Sequence, residues 1–177
     1  MCFRRFLVLT GVLIVVLGSC NGKKNAAPVQ NLSQDQVTEK LVEANIAAVE
    51  VENKQIDQLI AARGWKMVKT ATGLHYQVLE NGNGPVATAG KVARFEYEVQ
   101  LITGETIYSS GKTGPKEFRI GSGGVESGLE EGILLLKTGD KVRFIIPSYL
   151  AHGLSGDQDK IPPKATLIYT LKLIDLK

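Results

Sequence analysis

Short runs of alternating apolar and polar residues after Trp65 constrain the fold of this chain most strongly. The longest run covers 91–101, and a second long run covers 165–176. Shorter apolar or β-branched runs cover 74–79, 105–108, 117–120 and 142–146. Alternation with a period of two predicts half-buried strands, and the turn residues between the runs favour antiparallel connections. The chain should therefore contain five or six antiparallel strands.

Only one internal segment of this region has helical spacing of its apolar residues. Within residues 128–137 the apolar residues include Leu129, Ile133, Leu134 and Leu136. Leu129 and Ile133 are four positions apart, and Ile133 and Leu136 are three positions apart, as on one face of a helix. One short amphipathic helix can cover only one face of a sheet. We therefore predict an α+β fold in which a curved antiparallel sheet wraps around this helix, preceded by a long N-terminal helix.

Length, charge and cysteine content narrow the class of protein. The chain has 177 residues, which suits one domain with an extension. Its formal net charge is +3, and two of the basic residues, Arg4 and Arg5, lie in the leader described below. A balance this close to neutral gives no electrostatic basis for binding nucleic acid. Cys2 and Cys20 are the only cysteines, so the region after Cys20 contains no disulfide and no thiolate metal site.

The N-terminus has the pattern of an export signal. A basic start is followed by an apolar run over 6–17 and by small residues before Cys20. We predict a signal peptide over 1–19, because the apolar run is shorter than the ~20 residues that span a bilayer. The segment Leu17-Gly18-Ser19-Cys20 resembles a bacterial lipobox, which implies cleavage before Cys20 and a lipid on its sulfur. A plain membrane anchor and a soluble secreted protein are the alternatives.

Residues 20–32 are polar and predict a tether, and 33–64 predict a long amphipathic helix. Ser33 followed by Gln36 matches a capping box, and Gly64 stands where a helix-ending glycine belongs. The apolar stripe of this helix has to be covered. It could pack on its own domain or pair with a second copy, and Asn53 within the stripe could set the register of such a pair.

Eight short segments in the β-rich part resemble the FKBP family of peptidyl-prolyl isomerases. In chain order they are Phe95-Glu96-Tyr97, Ser109-Ser110, Gly128-Leu129-Glu130-Glu131-Gly132, Lys137-Thr138-Gly139-Asp140, Ile146-Pro147-Ser148, Gly153, Ile161-Pro162-Pro163 and Ala165-Thr166-Leu167. The resemblance covers about 72–177, so the isomerase domain is expected over 65–177. It implies a prolyl isomerase that assists protein folding, and the leader is similar to that of cell-envelope FKBPs, some of them associated with gliding motility.

The resemblance also implies a substrate pocket, with no catalytic nucleophile, no cofactor and no metal. Its residues would be Tyr97, Ile107, Tyr108, Phe118, Val125, Glu126, Leu129, His152, Ile161 and Tyr169. The expected partners are proline-containing polypeptide segments, the membrane through lipid on Cys20, and a possible homodimer through 33–64. The expected location is the cell envelope, at the outer membrane of a Gram-negative bacterium.

The sequence shows three departures from the family pattern, one of them at a pair of residues. Ile107-Tyr108 replaces a Phe-Asp pair, His152 replaces a tyrosine that usually donates a hydrogen bond to a bound carbonyl, and Glu126 replaces a common isoleucine. These changes leave an alternative open, in which the domain is a catalytically weak or inactive chaperone or binding module in an envelope complex.

Two histidine-based alternatives are less favoured by the sequence. His75 lies in an apolar strand and is expected to be exposed or packed rather than catalytic. His152 with Asp157 and Asp159 could bind a metal, but aspartates in a loop are usually solvated.

Overall fold

The computed structural model describes residues 33–177. The predicted signal peptide 1–19, the lipidation site Cys20 and the tether 20–32 lie outside the described residues. The described part begins with the long helix α1 and continues with strands and short helices. In chain order these are α1 (Gln34–Arg63), β1 (Val68–Lys69), β2 (His75–Glu80), β3 (Val92–Leu101), β4 (Thr106–Ser109), α2 (Ser110–Thr113), β5 (Lys116–Arg119), α3 (Ser127–Ile133), β6 (Lys141–Ile146), a 3₁₀ turn (Ser148–Leu150) and β7 (Leu167–Leu176).

The seven strands of residues 33–177 belong to one antiparallel sheet. The order is β1-β2-β6-β7-β3-β4, and β5 also pairs with β3. The two long alternating runs form the central pair, with Ala93 opposite Leu176 and Leu101 opposite Leu167. The predicted α+β fold is confirmed, but the prediction of five or six strands was too low. The two-residue strand β1 is too short to show alternation in the sequence.

Helix α3 lies against β6, and two glycines allow the close approach. A Cβ atom on Gly132 would lie 2.7 Å from Cζ of Phe144, and one on Gly128 would lie 2.5 Å from Cγ2 of Ile146. Leu129 and Ile133 enter the core from this helix. The helix ends at Ile133 and not at Lys137 as expected, because the following turn tightens to i→i+3 bonds such as Leu136 N to Ile133 O.

Helix α1 has the predicted caps at both ends. The Ser33 hydroxyl accepts from the Gln36 backbone, the Gln36 side chain accepts from the Ser33 backbone, and Gly64 ends the helix in the left-handed conformation. No helix within 33–177 is long and apolar enough to cross a membrane.

The C-terminal half of α1 packs on the sheet, on the face opposite to α3. Ile56 is fully buried against Ile145 and Ile168 in a second apolar cluster. Asn53 accepts a hydrogen bond from the Lys69 ammonium at 3.2 Å, so within the described structure it serves an intramolecular contact. The first half of the helix leaves apolar side chains exposed, namely Val37, Leu41, Val42 and Ile46.

Candidate functional site

A cavity of about 580 Å³ opens between the sheet and the N-terminal end of α3. Strands β3, β4, β5 and β7 contribute one wall, and the loop between β6 and β7 contributes the other. The lining residues are Val99, Tyr108, Lys116, Gly124, Val125, Glu126, Ala151, His152, Asp157, Ile161 and Tyr169.

Six of the ten predicted pocket residues line this cavity: Tyr108, Val125, Glu126, His152, Ile161 and Tyr169. The other four, Tyr97, Ile107, Phe118 and Leu129, are buried in the main core and are not part of its lining. Tyr97 illustrates why, because its hydroxyl lies 3.1 Å from Oγ1 of Thr113 and its ring packs beside Phe95. These four side chains therefore support the cavity from within the core and do not line it.

Glu126 places a carboxylate inside the cavity. It is the residue before α3, but its side chain does not cap the helix. Its Oε1 atom accepts a hydrogen bond from the Tyr169 hydroxyl at 2.6 Å and lies 3.0 Å from Nε2 of His152. Burial, together with the neighbouring Glu126 charge, raises the pKa of Tyr169 well above 10.0, so this hydroxyl remains a donor at neutral pH.

A second carboxylate, that of Asp157, meets the opposite side of the cavity. The Tyr108 hydroxyl donates to Asp157, and it lies 3.1 Å from Oδ2 of Asp159. The other Asp157 oxygen accepts from the backbone N–H groups of Asp159 at 3.0 Å and of Ile161 at 2.7 Å. Asp157 therefore fixes the backbone next to Ile161 as well as the ring of Tyr108.

These contacts shift the pKa values of both partners. Desolvation opposes ionisation of Asp157, but the hydrogen bonds from Tyr108 and from the two backbone N–H groups, with the nearby His152, lower its pKa to about 2. The hydrogen bond to Asp157, with desolvation and Asp159, raises the pKa of Tyr108 above its usual 10.0. At neutral pH the pair is a carboxylate held by a neutral phenol.

Five lining residues were not among the predicted pocket residues, and two of them, Asp157 and Lys116, carry charged side chains. The sequence singled out Asp157 only as a possible metal ligand beside His152 and Asp159, although an aspartate that accepts from a backbone N–H two residues later is a common turn signal. Lys116 lies on β5 with its ammonium 5.0 Å from the centre of the Tyr97 ring. Its position in the cavity follows from the pairing of β5 with β3. His75 is buried on β2 and does not line the cavity.

The cavity combines apolar and aromatic walls with carboxylates that already accept hydrogen bonds. Val99, Val125 and Ile161 supply aliphatic surface, and Tyr108 and Tyr169 supply ring faces. The apolar and aromatic side chains of this lining could contact a small apolar ring, and both Glu126 and Asp157 are engaged by neighbouring hydroxyl groups.

Fold and sequence together define the class of protein. Residues 84–174 match the family described as FKBP-type peptidyl-prolyl cis-trans isomerase, and the chain belongs to this family. A probable FKBP-type peptidyl-prolyl cis-trans isomerase FkpA of Neisseria meningitidis is 40% identical over 109 residues, which are 60% of this chain and 39% of the relative.

Longer matches extend the similarity into α1. A probable FKBP-type peptidyl-prolyl cis-trans isomerase of Haemophilus influenzae is 30% identical over 176 residues, covering 96% of this chain and 71% of that protein. The crystal structure of FkpA from Escherichia coli superimposes with a TM-score of 0.64 at 30% identity, covering 83% of this chain and 74% of that one. The chain nevertheless spans only about half of the curated Escherichia coli sequence, at 49%.

Proposed function

We propose that this protein is a peptidyl-prolyl cis-trans isomerase that binds proline-containing polypeptide segments in the cavity described above. The observation that supports this most directly is the apolar and aromatic enclosure formed by Tyr108, Val125, Ile161 and Tyr169 in a chain of the FKBP family. Rotation about a prolyl bond is slow because it breaks amide resonance. A site that binds the twisted amide more tightly than either planar form accelerates that rotation.

The walls and the polar groups would have different roles. The apolar walls would take the proline ring and keep water from the preceding carbonyl, which weakens the charge-separated resonance form and eases the twist. His152 replaces the tyrosine that usually donates to this carbonyl, and its Nε2 lies 3.0 Å from Glu126. Because Glu126 competes for that nitrogen, we expect activity that is weak or selective for certain residues before proline.

A matched pair of isoleucine variants tests this role of the cavity. Ile161 lines the cavity and Ile168 packs under α1, and each is 4% exposed. Replacing either by alanine should cost about 2–5 kcal/mol of stability, the usual range for large-to-small core changes. Only Ile161→Ala should also lower kcat/KM, by about tenfold or 1.4 kcal/mol.

The measurement is a protease-free isomerisation assay on short X-Pro peptides. Acceleration by the wild-type protein that survives in Ile168→Ala and falls in Ile161→Ala supports the proposal. An equal loss of activity in both variants would assign the effect to stability instead. No acceleration by well-folded wild-type protein at micromolar concentration would refute catalysis on these substrates.

A second candidate function is a chaperone or binding module, and one observation favours it. An apolar groove of about 880 Å³ lies between α1 and the loop after the 3₁₀ turn. Leu154, on its rim, is 72% exposed. Suppression of aggregation of a client protein without proline-limited folding would support this function, and Leu154→Ser should weaken it while leaving prolyl isomerisation unchanged.

We further propose that the protein is lipid-anchored in the cell envelope, at the outer membrane, and that 33–64 mediate a homodimer. The leader and the lipobox-like segment ending at Cys20 support the anchor. The exposed apolar side chains in the first half of α1 support the dimer. Labelling of the cells with a fatty-acid analogue should tag the wild-type protein but not Cys20→Ser. Light scattering that finds a monomer at high concentration would refute the dimer.

A further inference from the structure

Glu52, near the middle of α1, makes hydrogen bonds to two segments that are far away in the sequence. Its Oε1 atom accepts from the Ser148 backbone N–H at 2.6 Å and from the Thr166 hydroxyl at 2.6 Å. Its Oε2 atom accepts from the Ser148 hydroxyl at 2.9 Å. Ser148 and Thr166 are both buried, at 9% and 4% exposure. Hydrogen bonds to a carboxylate away from water are stronger than those between neutral groups.

Ser148 and Thr166 stand at the two ends of the loop that forms one wall of the cavity. We call residues 149–165 the cavity loop. It carries four of the cavity-lining residues, namely Ala151, His152, Asp157 and Ile161. A single side chain of α1 therefore holds the residue before this loop and the residue after it.

The connection from Glu52 to His152 runs through few covalent and hydrogen bonds. The Ser148 carbonyl accepts from the backbone N–H groups of Ala151 at 3.1 Å and of Gly153 at 2.8 Å, which are the two neighbours of His152. The Gly153 carbonyl in turn accepts from Lys164 N–H at 2.8 Å, which closes the base of the loop. A displacement of Ser148 would therefore move the backbone on both sides of His152.

We propose that Glu52 is a positioning residue for the isomerase cavity, acting through Ser148 and Thr166 to hold the cavity loop in its binding geometry. This inference rests on the proposed function. It makes α1 a part of the binding unit, in addition to any role of the helix as a spacer or dimer contact. If the loop samples other geometries when Glu52 is lost, the apparent affinity for substrate falls in proportion to the fraction that remains competent.

Three variants of α1 test this. Glu52→Ala removes all three acceptors, and we expect KM to rise about threefold to tenfold while kcat stays within about twofold, because only the competent fraction changes. Glu52→Gln should restore KM to within about twofold of wild type. Its amide oxygen can accept from the Ser148 N–H and the Thr166 hydroxyl, and its NH₂ group can donate to the Ser148 hydroxyl. Glu50→Ala is the matched control, because Glu50 is exposed on the same helix two positions away.

A second readout does not depend on activity. Backbone amide resonances of His152 and Ile161 should shift in Glu52→Ala and return in Glu52→Gln, whereas Glu50→Ala should leave them in place. If wild-type protein fails to accelerate isomerisation, the proposed function fails, and these resonances still decide whether Glu52 positions the loop. Should Glu52→Ala not fold, Thr166→Val removes one anchor from the far end of the loop and should raise KM by a smaller factor.

Unchanged KM and unchanged amide resonances in a folded Glu52→Ala variant would overturn the inference. A raised KM in Glu50→Ala would do so too, because the effect would then belong to helix charge and not to the anchor. A KM raised in Glu52→Ala and restored by glutamine would support it.

Discussion

A double-mutant cycle on Glu126 and Tyr169 tests the hydrogen bond that most changes the chemistry of the cavity. Glu126→Ile introduces the residue that is common at this position in the family. Tyr169→Phe removes only the hydroxyl that donates to Glu126 at 2.6 Å. The double variant removes both polar partners, so the cycle isolates their interaction from the effects of side-chain size.

The expected magnitudes follow from burial. Tyr169 is 5% exposed, so Glu126→Ile leaves a buried hydroxyl without its acceptor, at a cost of about 1–3 kcal/mol. Tyr169→Phe takes a hydrogen bond from a carboxylate whose side chain is only 12% exposed, which costs about 1.5–3 kcal/mol. The double variant leaves neither group unsatisfied, except that His152 must turn towards water. We therefore expect it to be less destabilised than the two single changes added together, by about 1–2 kcal/mol.

Urea denaturation of the four proteins at neutral pH measures this coupling. Tyr169 is protonated there, since an ordinary tyrosine has a pKa near 10.0 and burial raises it further. Parallel unfolding transitions with equal slopes are needed for the free energies to be compared. Additive effects, within about 0.5 kcal/mol, would refute the reasoning, because they would mean that the two side chains do not depend on each other in solution.

Three further predictions concern stability. Gly132→Ala places a methyl group against the fully buried ring of Phe144. It should lower the free energy of unfolding in urea by about 1–3 kcal/mol, although alanine has the better helix propensity. The cost should be smaller when Phe144→Leu is also present, because the smaller side chain relieves the contact. Asp157, with a pKa lowered from 3.8 to about 2, contributes stability that is present above pH 4 and lost as the pH falls towards 2. That contribution is at most about 2 kcal/mol and is reduced by partial exposure, so Asp157→Asn should flatten the acid limb of a stability–pH curve. Tyr169, with its raised pKa, contributes stability that is present below pH 10 and lost as the pH rises beyond it, so Tyr169→Phe should make the alkaline limb less steep, and an unchanged limb would contradict the assignment.

Features with local signals could be predicted from the sequence. The alternation over 92–101 and 167–176 follows from burial of one face of each strand, and both strands lie in the centre of the sheet. The caps of α1 depend on residues three positions apart or on a single glycine, so Ser33, Gln36 and Gly64 could be recognised directly. The end of α3 could not, because the buried Leu136 continues the helical spacing of apolar residues beyond the last residue of the helix.

The cavity was predicted less completely, because hydrogen-bond partners there are distant in the sequence. The presence of Glu126 in the pocket could be inferred, but its partner Tyr169 lies 43 residues further along the chain. Tyr108 could be recognised as a departure from the family pattern, but its contact with Asp157 spans 49 residues. The contacts of Glu52 span still larger separations, and no periodic or capping pattern in α1 distinguishes this glutamate from its neighbours.

The departures from the family pattern are paired with one another by hydrogen bonds, and the aliphatic and aromatic side chains of the cavity remain beside them. Tyr108 stands where the family usually has a carboxylate, and Asp157, on the cavity loop, supplies a carboxylate that accepts from the Tyr108 hydroxyl. Glu126 adds a further charge, and the Tyr169 hydroxyl and His152 both lie within hydrogen-bonding distance of it. Because both carboxylates are already bonded, a bound proline ring would not have to desolvate a free carboxylate. The substitutions should therefore change which residue is favoured before proline more than they change the capacity to bind the ring, so the isomerisation assay should use a series of X-Pro peptides that differ only in X.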